Sequence, residues 1–429
     1  MVMRAPASRQ DHRALLDARL RSLEPYPARQ FTGSGIVICA GGASLFTNAY
    51  VLIHVLRRVH GCALPIEVWH FGGGELSERM KLLLRELRAD PVDAEAVLKE
   101  SAVAVRNGWQ LKAHALMRSR FEHVLMLDAD QVPLRDPSEL LQWKGYGDTG
   151  AVFWPDVADI LATNPIWREC NLEPREHPAI EAGQLLVHKA RHWRALQIAA
   201  HLNEHAPHYY QMLYGDKDTF LLAFLLTGAS FTLLPHRPFG DVPFCLQQRD
   251  MEGRPLFQHR TGAKWRYAGA QPLLQGLAVE EECLKALDLL RRRWNGLVFT
   301  APPRSARARE AEAALAAVRH FALAAPGEGA VAVELLAEGE IGAGRSAERL
   351  NWYCTQADGG IRLVFTDAFS ATATFAERSS GRWIGSSGST SGEIYLAAKG
   401  EGTRKGELDV SRGQWPMPGL YSTEPVLKI

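Results

Sequence analysis

The fold is decided by the stretch Val124-Leu125-Met126-Leu127-Asp128-Ala129-Asp130, in which four apolar residues run directly into two carboxylates. A short continuous apolar run predicts a strand buried on both faces, as in a parallel sheet. Ligands of such sheets bind beyond the carboxyl ends of the strands, which is where Asp128 falls. Asp128 and Asp130 can turn toward one ion because the side chain between them points away. The stretch therefore predicts a site for a hard divalent cation, Mn²⁺ or Mg²⁺.

Strand and helix patterns alternate on both sides of this stretch, which predicts a parallel sheet with helices on both faces. On the N-terminal side, the strands are 35–40 and 66–71 and the helices are 45–59, 76–87 and 110–120. On the C-terminal side, we expect strands at 151–154, 184–187, 231–234 and 256–259, with helices near 193–204 and 219–226.

Changes in pattern divide the chain into four expected segments. They are a polar leader at 1–32, an α/β domain at 33–270, a helical connector at 271–326 and a small all-β domain at 327–429. The connector includes Ala306 to Ala324, which is typical of a solvated helix. The last boundary is predicted at Pro326 to Gly329, because short β-like runs separated by Gly and Ser replace helical periodicity there. Trp352, Tyr353 and Trp383 then form either a sugar-stacking face or part of the core of that domain.

Composition restricts the partners. The 49 Lys and Arg residues balance the 48 Asp and Glu residues, so there is no basic field for nucleic acid. The six cysteines show no C-x-x-C pair and no spacing typical of zinc ligands. No stretch has the length of a membrane span, and the N-terminus lacks the apolar segment of a signal peptide. We therefore expect a cytoplasmic protein without an integral membrane segment.

A second candidate cluster follows the strand at 256–259. His259 has the chemistry to complete a set of two carboxylates and one imidazole, which favours Mn²⁺. Lys264 has the chemistry to reach a phosphate, and Gly262 permits close approach of the backbone. The alternative is a structural histidine beside a surface lysine. Lys112, in the first turn of the helix before the decisive strand, is either a donor contact or an exposed side chain.

Carboxylate and amide groups elsewhere are candidates for sugar hydroxyls. Gln184 opens an apolar strand, while Asp216 and Asp218 precede a helix and have the alternative role of N-caps. Trp154 and Trp193 are candidate stacking faces or core residues.

Together these segments resemble the alpha-mannosyltransferase family of Golgi Mnn-type enzymes, which have the GT-A fold, a Rossmann-like nucleotide-sugar-binding domain, and use GDP-mannose. The resemblance covers about residues 33–265 and is carried by Gly35 to Gly42, Leu64 to Gly72, Gln110 to Ala113, Val124 to Pro137, Val152 to Asp156, Glu181 to Gln184 and Gly215 to Phe220.

The order of motifs is also similar to the glycogenin and galactosyltransferase group of retaining enzymes. That likeness implies metal ligation by Asp128, Asp130 and His259, and donor contacts from Lys112, Gly262 and Lys264. It implies that Gln184, Asp216 and Asp218 position the sugar, and that the product retains the anomeric configuration. The expected partners are a GDP- or UDP-linked sugar and a glycan, glycolipid or protein acceptor.

Two other functions compete with a glycosyltransferase. The segment Asp128 to Val132 also fits the D-x-D-x-[TV] motif of haloacid-dehalogenase-like phosphatases, in which the first Asp is a nucleophile. That motif normally lies on the first strand, whereas two strand–helix units precede it here. A non-catalytic sugar-binding or scaffold protein would not require the Asp128, Asp130 and His259 set.

Overall fold

A computed structural model gives the architecture of the chain in two compact units, residues 1–300 and 301–429. It describes residues 9–99, 108–239, 245–267, 271, 274, 277–294, 296, 304–325, 329–337, 339–346, 349, 351–357, 360–366, 371–379, 382–387 and 390–398. Most of the boundary predicted at Pro326 to Gly329 lies outside these residues, as does the end of the predicted all-β domain. No helix among the described residues combines the length and the apolar character needed to cross a membrane.

The first unit alternates strands and helices as the sequence predicts. Its elements are α1 (Arg9–Arg21), β1 (Ser34–Cys39), α2 (Gly42–His54), a π-helical turn (Val55–Val59), β2 (Ile66–His70), α3 (Gly72–Glu75), α4 (Glu78–Glu86), β3 (Ala89–Asp93), α5 (Ala94–Leu98), α6 (Gly108–Arg118), β4 (His123–Asp128), β5 (Gln131–Pro133), a 3₁₀ helix (Pro137–Gln142), α7 (Lys144–Thr149), β6 (Ala151–Ile160), α8 (Ile166–Glu169), β7 (His177–His188), α9 (Lys189–Glu204), α10 (Ala206–Tyr209), α11 (Lys217–Thr227), β8 (Thr232–Leu233), β9 (Leu246–Arg249), β10 (Pro255–His259) and α12 (Glu280–Arg293).

The main sheet is mixed, and this corrects the parallel sheet expected from the sequence. Its strand order is β3-β2-β1-β4-β7-β6-β8. The four strands from β3 to β4 are parallel, but β7 runs antiparallel to both β4 and β6. Apolar side chains from α6, α9 and α11 cover the sheet and form its core. The reversal brings the middle of β7 beside the end of β4, because Leu127 pairs with Gln184.

A separate small sheet holds the strand expected at 256–259. It has the order β5-β10-β9, with antiparallel pairing throughout. The main sheet therefore does not extend to residue 270 as predicted. The small sheet lies directly after Asp128 in the chain, since β5 begins three residues later.

The second unit is one antiparallel sheet covered by a helix. Its elements are α13 (Ala306–Val318), β11 (His320–Ala324), β12 (Val331–Glu334), β13 (Asn351–Ala357), β14 (Gly360–Thr366), β15 (Ala371–Ser379), β16 (Arg382–Ser387) and β17 (Thr390–Ala398). The strand order is β12-β11-β17-β16-β15-β14-β13.

Two sequence expectations for this region are corrected. The helix expected to reach Ala324 ends at Val318, and β11 pairs with β12 and β17, so both elements belong to the second unit and not to a connector. Trp352, Tyr353 and Trp383 are buried, and the two tryptophans pack in the core under α13. They therefore offer no sugar-stacking face.

Candidate active site

Two carboxylates and an imidazole meet because β5 pairs with β10. Asp128 ends β4 and Asp130 lies in the following turn. Gln131 is paired with His259, and the backbone N–H of Arg260 donates to the carbonyl of Asp130 at 3.0 Å. As a result, His259 Nε2 lies 3.3 Å from Asp130 Oδ1 and 3.8 Å from Asp128 Oδ2. One ligand atom from each of Asp128, Asp130 and His259 lies within 4.8 Å of the other two.

Opposite charges control the protonation of this cluster. Burial alone would raise the pKa of Asp130, but the neighbouring His259 and Lys264 outweigh burial and hold that pKa well below its usual range. Burial alone would lower the pKa of His259, but Asp130 reverses the effect and raises that pKa to about 9. Asp130 is therefore a carboxylate at neutral pH, and a cation that takes its place beside the ring must displace a proton from His259.

Lys112 and Lys264 flank the carboxylate pair. Lys112 Nζ lies 2.6 Å from Asp128 Oδ1 and 3.3 Å from Asp216 Oδ2, and Lys264 Nζ pairs with Asp130. Lys112 is buried, which alone would lower its pKa, yet the charges of Asp128 and Asp216 raise that pKa above the ordinary value. Lys112, the fifth residue of α6, is thus a buried cation beside the carboxylates and not an exposed side chain.

Asp216 and Asp218 precede or open α11, but neither acts as a simple cap. Asp216 occupies the N-cap position without a side-chain bond to the helix, and its carboxylate faces Lys112 instead. Asp218 Oδ1 accepts the backbone N–H of Ile180 at 3.0 Å. Burial raises the pKa of both carboxyls, that of Asp218 to about 6.

The other two predicted residues lie at the margins of this cluster. Gln184 is fully buried on β7, where its Oε1 accepts from Gln131 Nε2 at 2.6 Å. Gly262 is exposed in the loop between His259 and Lys264. A close approach of the backbone occurs at Gly183, because a Cβ there would lie 2.7 Å from His259 Nδ1.

Residues 33–166 and 171–239 match the family model described as "Mannosyltransferase putative". Alpha-1,2-mannosyltransferase MNN23 of Candida albicans is 28% identical over 46% of this chain and 41% of its own length. Alpha-1,2-mannosyltransferase MNN2 of Saccharomyces cerevisiae is 26% identical over 48% of this chain and 42% of its own. The matched residues of the first unit are thus similar to the mannosyltransferase family. The chain spans about two fifths of the length of these curated relatives.

The fold class predicted from the sequence, a GT-A domain followed by an all-β domain, is confirmed. Among solved structures, the mannosyltransferase Ktr4p of Saccharomyces cerevisiae is similar at a TM-score of 0.36 and 10% identity, over 58% of this chain and 82% of that chain. The phosphatase alternative conflicts with the topology. In the first unit the first strand is β1, whereas Asp128 ends β4.

Three charged residues of the first unit were not among the predicted site residues. Glu181 Oε1 lies 3.6 Å from His259 Nδ1, and Asp156 pairs with Lys217. The signal for Glu181 and Asp156 was a charge next to an apolar strand pattern, whereas Lys217 opens α11. The strand that holds Asp156, β6, runs to Ile160, six residues beyond the predicted end. By contrast, Trp154 and Trp193 are buried, so neither presents a stacking face.

Proposed function

We propose that this chain transfers a hexose, namely mannose, from a GDP- or UDP-linked donor to a glycan or glycoconjugate acceptor with retention of configuration. The observation that carries the proposal is the convergence of Asp128, Asp130 and His259, with Lys112 and Lys264 beside them. The names of the curated relatives support mannose as the transferred sugar. The nucleotide and the retaining stereochemistry rest on the resemblance of the motifs, and the cytoplasmic location remains a sequence prediction.

The residues present fit a divalent cation. Two carboxylates and one imidazole form a mixed oxygen and nitrogen set, which suits Mn²⁺ better than Mg²⁺. The low pKa of Asp130 keeps one ligand anionic at neutral pH. Bound there, the cation neutralises charge on the diphosphate as a Lewis acid.

The remaining residues are assigned to two parts of the donor, its phosphates and its sugar. The ammonium groups of Lys112 and Lys264 offer point charges to phosphate oxygens once these displace the carboxylates now paired with them. Asp216, Asp218 and Gln184 offer acceptors and donors to sugar hydroxyls, and they stabilise positive charge that develops at the anomeric carbon. In a retaining front-face route, the leaving phosphate accepts the proton of the acceptor, so none of these residues acts as a general base.

A donor screen tests the proposal. GDP- and UDP-sugars are supplied with Mn²⁺, and released nucleoside diphosphate is measured with the wild type, Asp130→Asn and the control Asp288→Asn. Removing one ligand carboxylate should lower turnover at least about 100-fold, since it weakens the stabilisation of the leaving group. Asp288 is 62% exposed on α12, and its variant should match the wild type.

Three results would contradict parts of the proposal. Full turnover in excess chelator would contradict the proposed dependence on a metal ion. Release of phosphate from a phosphomonoester without turnover of any nucleotide-sugar would contradict the transferase hypothesis and support the phosphatase hypothesis. An inverted linkage in an NMR time course would contradict the retaining stereochemistry.

A further inference from the structure

Two exposed aromatic residues lie close in the chain to residues of the carboxylate cluster. Trp109 is 53% exposed and Tyr214 is 80% exposed, although both lie within a few residues of buried site residues. Trp109 lies three positions before Lys112, and Tyr214 lies two positions before Asp216. Single exposed apolar residues are ordinary on protein surfaces, but a pair at the edge of a polar site indicates a place where a ligand binds.

The backbone of Gly215 connects the two rings. A Cβ at Gly215 would lie 3.2 Å from Cε3 of Trp109, so the indole packs against that glycine. Gly215 also has a φ of +74°, and this left-handed turn carries the chain from Tyr214 to the buried Asp216. On the other side, Lys217 Nζ lies 5.0 Å from the centroid of the Tyr214 ring.

We propose that Trp109 and Tyr214 form an acceptor platform that stacks against the apolar faces of a neutral oligosaccharide. This inference rests on the proposed function, because it places the acceptor beside the residues assigned to the donor sugar. Aromatic side chains supply large, rigid contact areas at a low cost in side-chain entropy, which suits the C–H faces of a sugar ring.

Charge selects a neutral occupant over an anionic one. The two ammonium groups closest to the rings along the chain are those of Lys112 and Lys217, and each is paired with a carboxylate. Lys112 pairs with Asp128 and Asp216, and Lys217 pairs with Asp156. Neither therefore offers an unpaired positive charge to an anionic acceptor.

Equilibrium binding to the full chain tests the platform without relying on turnover. The probes are linear mannotriose, methyl α-mannoside, mannose 6-phosphate and GDP with Mn²⁺, measured by calorimetry and saturation-transfer NMR. Trp109→Ala and Tyr214→Ala should each raise the Kd for mannotriose about tenfold. The ring-preserving variants Trp109→Phe and Tyr214→Phe should stay within about threefold of the wild type. Leu82→Ala, at a site 44% exposed on α4, is the matched control and should bind as the wild type does.

Several outcomes would overturn the platform. One is an unchanged Kd for mannotriose in the Trp109→Ala, Tyr214→Ala double variant, and another is no binding of mannotriose by the wild type. Tighter binding of mannose 6-phosphate than of methyl α-mannoside contradicts the neutral occupant. A rise in the Kd for GDP with an unchanged Kd for mannotriose assigns the rings to the donor nucleotide. If no nucleotide-sugar is turned over, the proposed function is wrong. The binding of mannotriose still tests whether Trp109 and Tyr214 form the platform.

Discussion

At the scale of single residues, Glu181 faces the ring nitrogen of His259 that points away from Asp130. Its Oε1 lies 3.6 Å from Nδ1 and is itself held by the backbone N–H of Gly183 at 3.0 Å. At this separation the contact is electrostatic and not a hydrogen bond, and a carboxylate that closes on this nitrogen would fix the tautomer and orientation of a ligating imidazole. We therefore expect Glu181→Gln to weaken Mn²⁺ binding about 10- to 100-fold, measured by electron paramagnetic resonance of the free ion.

Glu67→Gln is the matched control for this prediction. Glu67 is also buried in the same sheet, but it accepts from Trp69 Nε1 at 2.9 Å on β2. Its variant should leave Mn²⁺ affinity unchanged. Equal affinities for wild type and Glu181→Gln would show that Glu181 does not orient His259.

Asp218 links the site to the pH dependence of stability. Burial raises its pKa from 3.8 to about 6, a rise of about two units, so the folded state binds this proton more tightly than the unfolded chain does. The contribution of this group to the free energy of unfolding is therefore largest below pH 3.8 and falls as pH rises to about 6. Above that pH the buried charge costs about 3 kcal/mol.

Asp218→Asn removes this cost, because an amide oxygen can still accept the N–H of Ile180. We expect the variant to be more stable than the wild type by about 2–3 kcal/mol at pH 8 and equally stable at pH 4, in urea unfolding. Donor turnover should fall in the same variant, since a charge kept at such a cost is typical of a functional site. A variant that is less stable at pH 8 would contradict this assignment of the cost.

The residues of the site differ in how far the sequence could predict them. Asp128 was predictable because it follows an apolar run, and the structure places it at a strand end. The contact of Lys112 with Asp216 joins residues 104 positions apart, and it forms because α6 and α11 both pack against α9. Glu181 lies in one of the segments that carry the resemblance, but its contact with His259 depends on the antiparallel direction of β7 and on the pairing of β5 with β10.

At the scale of elements, the loop from His259 to Trp265 is held by one buried cation. Arg260 is fully buried, with Nη1 at 2.9 Å from Glu280 of α12 and Nε donating to the carbonyl of Ala263 at 2.8 Å. Its guanidinium also lies 3.7 Å from the centroid of the Trp265 ring. Arg260 thus fixes the path of the loop that places His259 and Lys264.

Arg260→Met should destabilise the fold by about 3 kcal/mol, because it leaves Glu280 partly buried without its partner. It should also weaken Mn²⁺ binding as the loop shifts. Arg292→Met is the control, since Arg292 pairs with Asp288 on the surface of α12 and such pairs contribute about 0–1 kcal/mol. Urea unfolding and Mn²⁺ titration of both variants measure the effects, and equal losses in the two would show that the Arg260 contacts are not specific.

Periodicity predicted most elements of the first unit but not the pairing of its strands. An apolar run such as Leu185 to Val187 looks the same in parallel and antiparallel sheets. The strand β3 escaped prediction because Asp90, Pro91 and Asp93 give it no apolar pattern. In the second unit, the Ala-rich helical pattern continued past Val318, although His320 to Ala324 is a strand paired on both sides.

At the scale of the whole molecule, the division into two units predicts which fragments fold. The residues assigned to the metal and the donor all lie in 1–300, whereas 301–429 has its own core. In that core, Ala308 and Leu315 of α13 cover the sheet, and Phe321 and Leu323 of β11 contribute to it. The boundary at 300 therefore lies 26 residues before the one expected at 326.

Fragments that begin at residue 301 and at residue 327 distinguish the two boundaries. Fragment 301–429 should unfold in urea in one cooperative transition. Fragment 327–429 should not, because it lacks the helix that covers the core and leaves β17 without its partner β11. Fragment 1–300 should bind Mn²⁺ and GDP as tightly as the full chain, because its carboxylates, imidazole and lysines are all present. A cooperative transition of equal free energy in 327–429 would place α13 and β11 outside the folding unit. Loss of Mn²⁺ binding by a folded 1–300 would mean that the second unit helps to build the site.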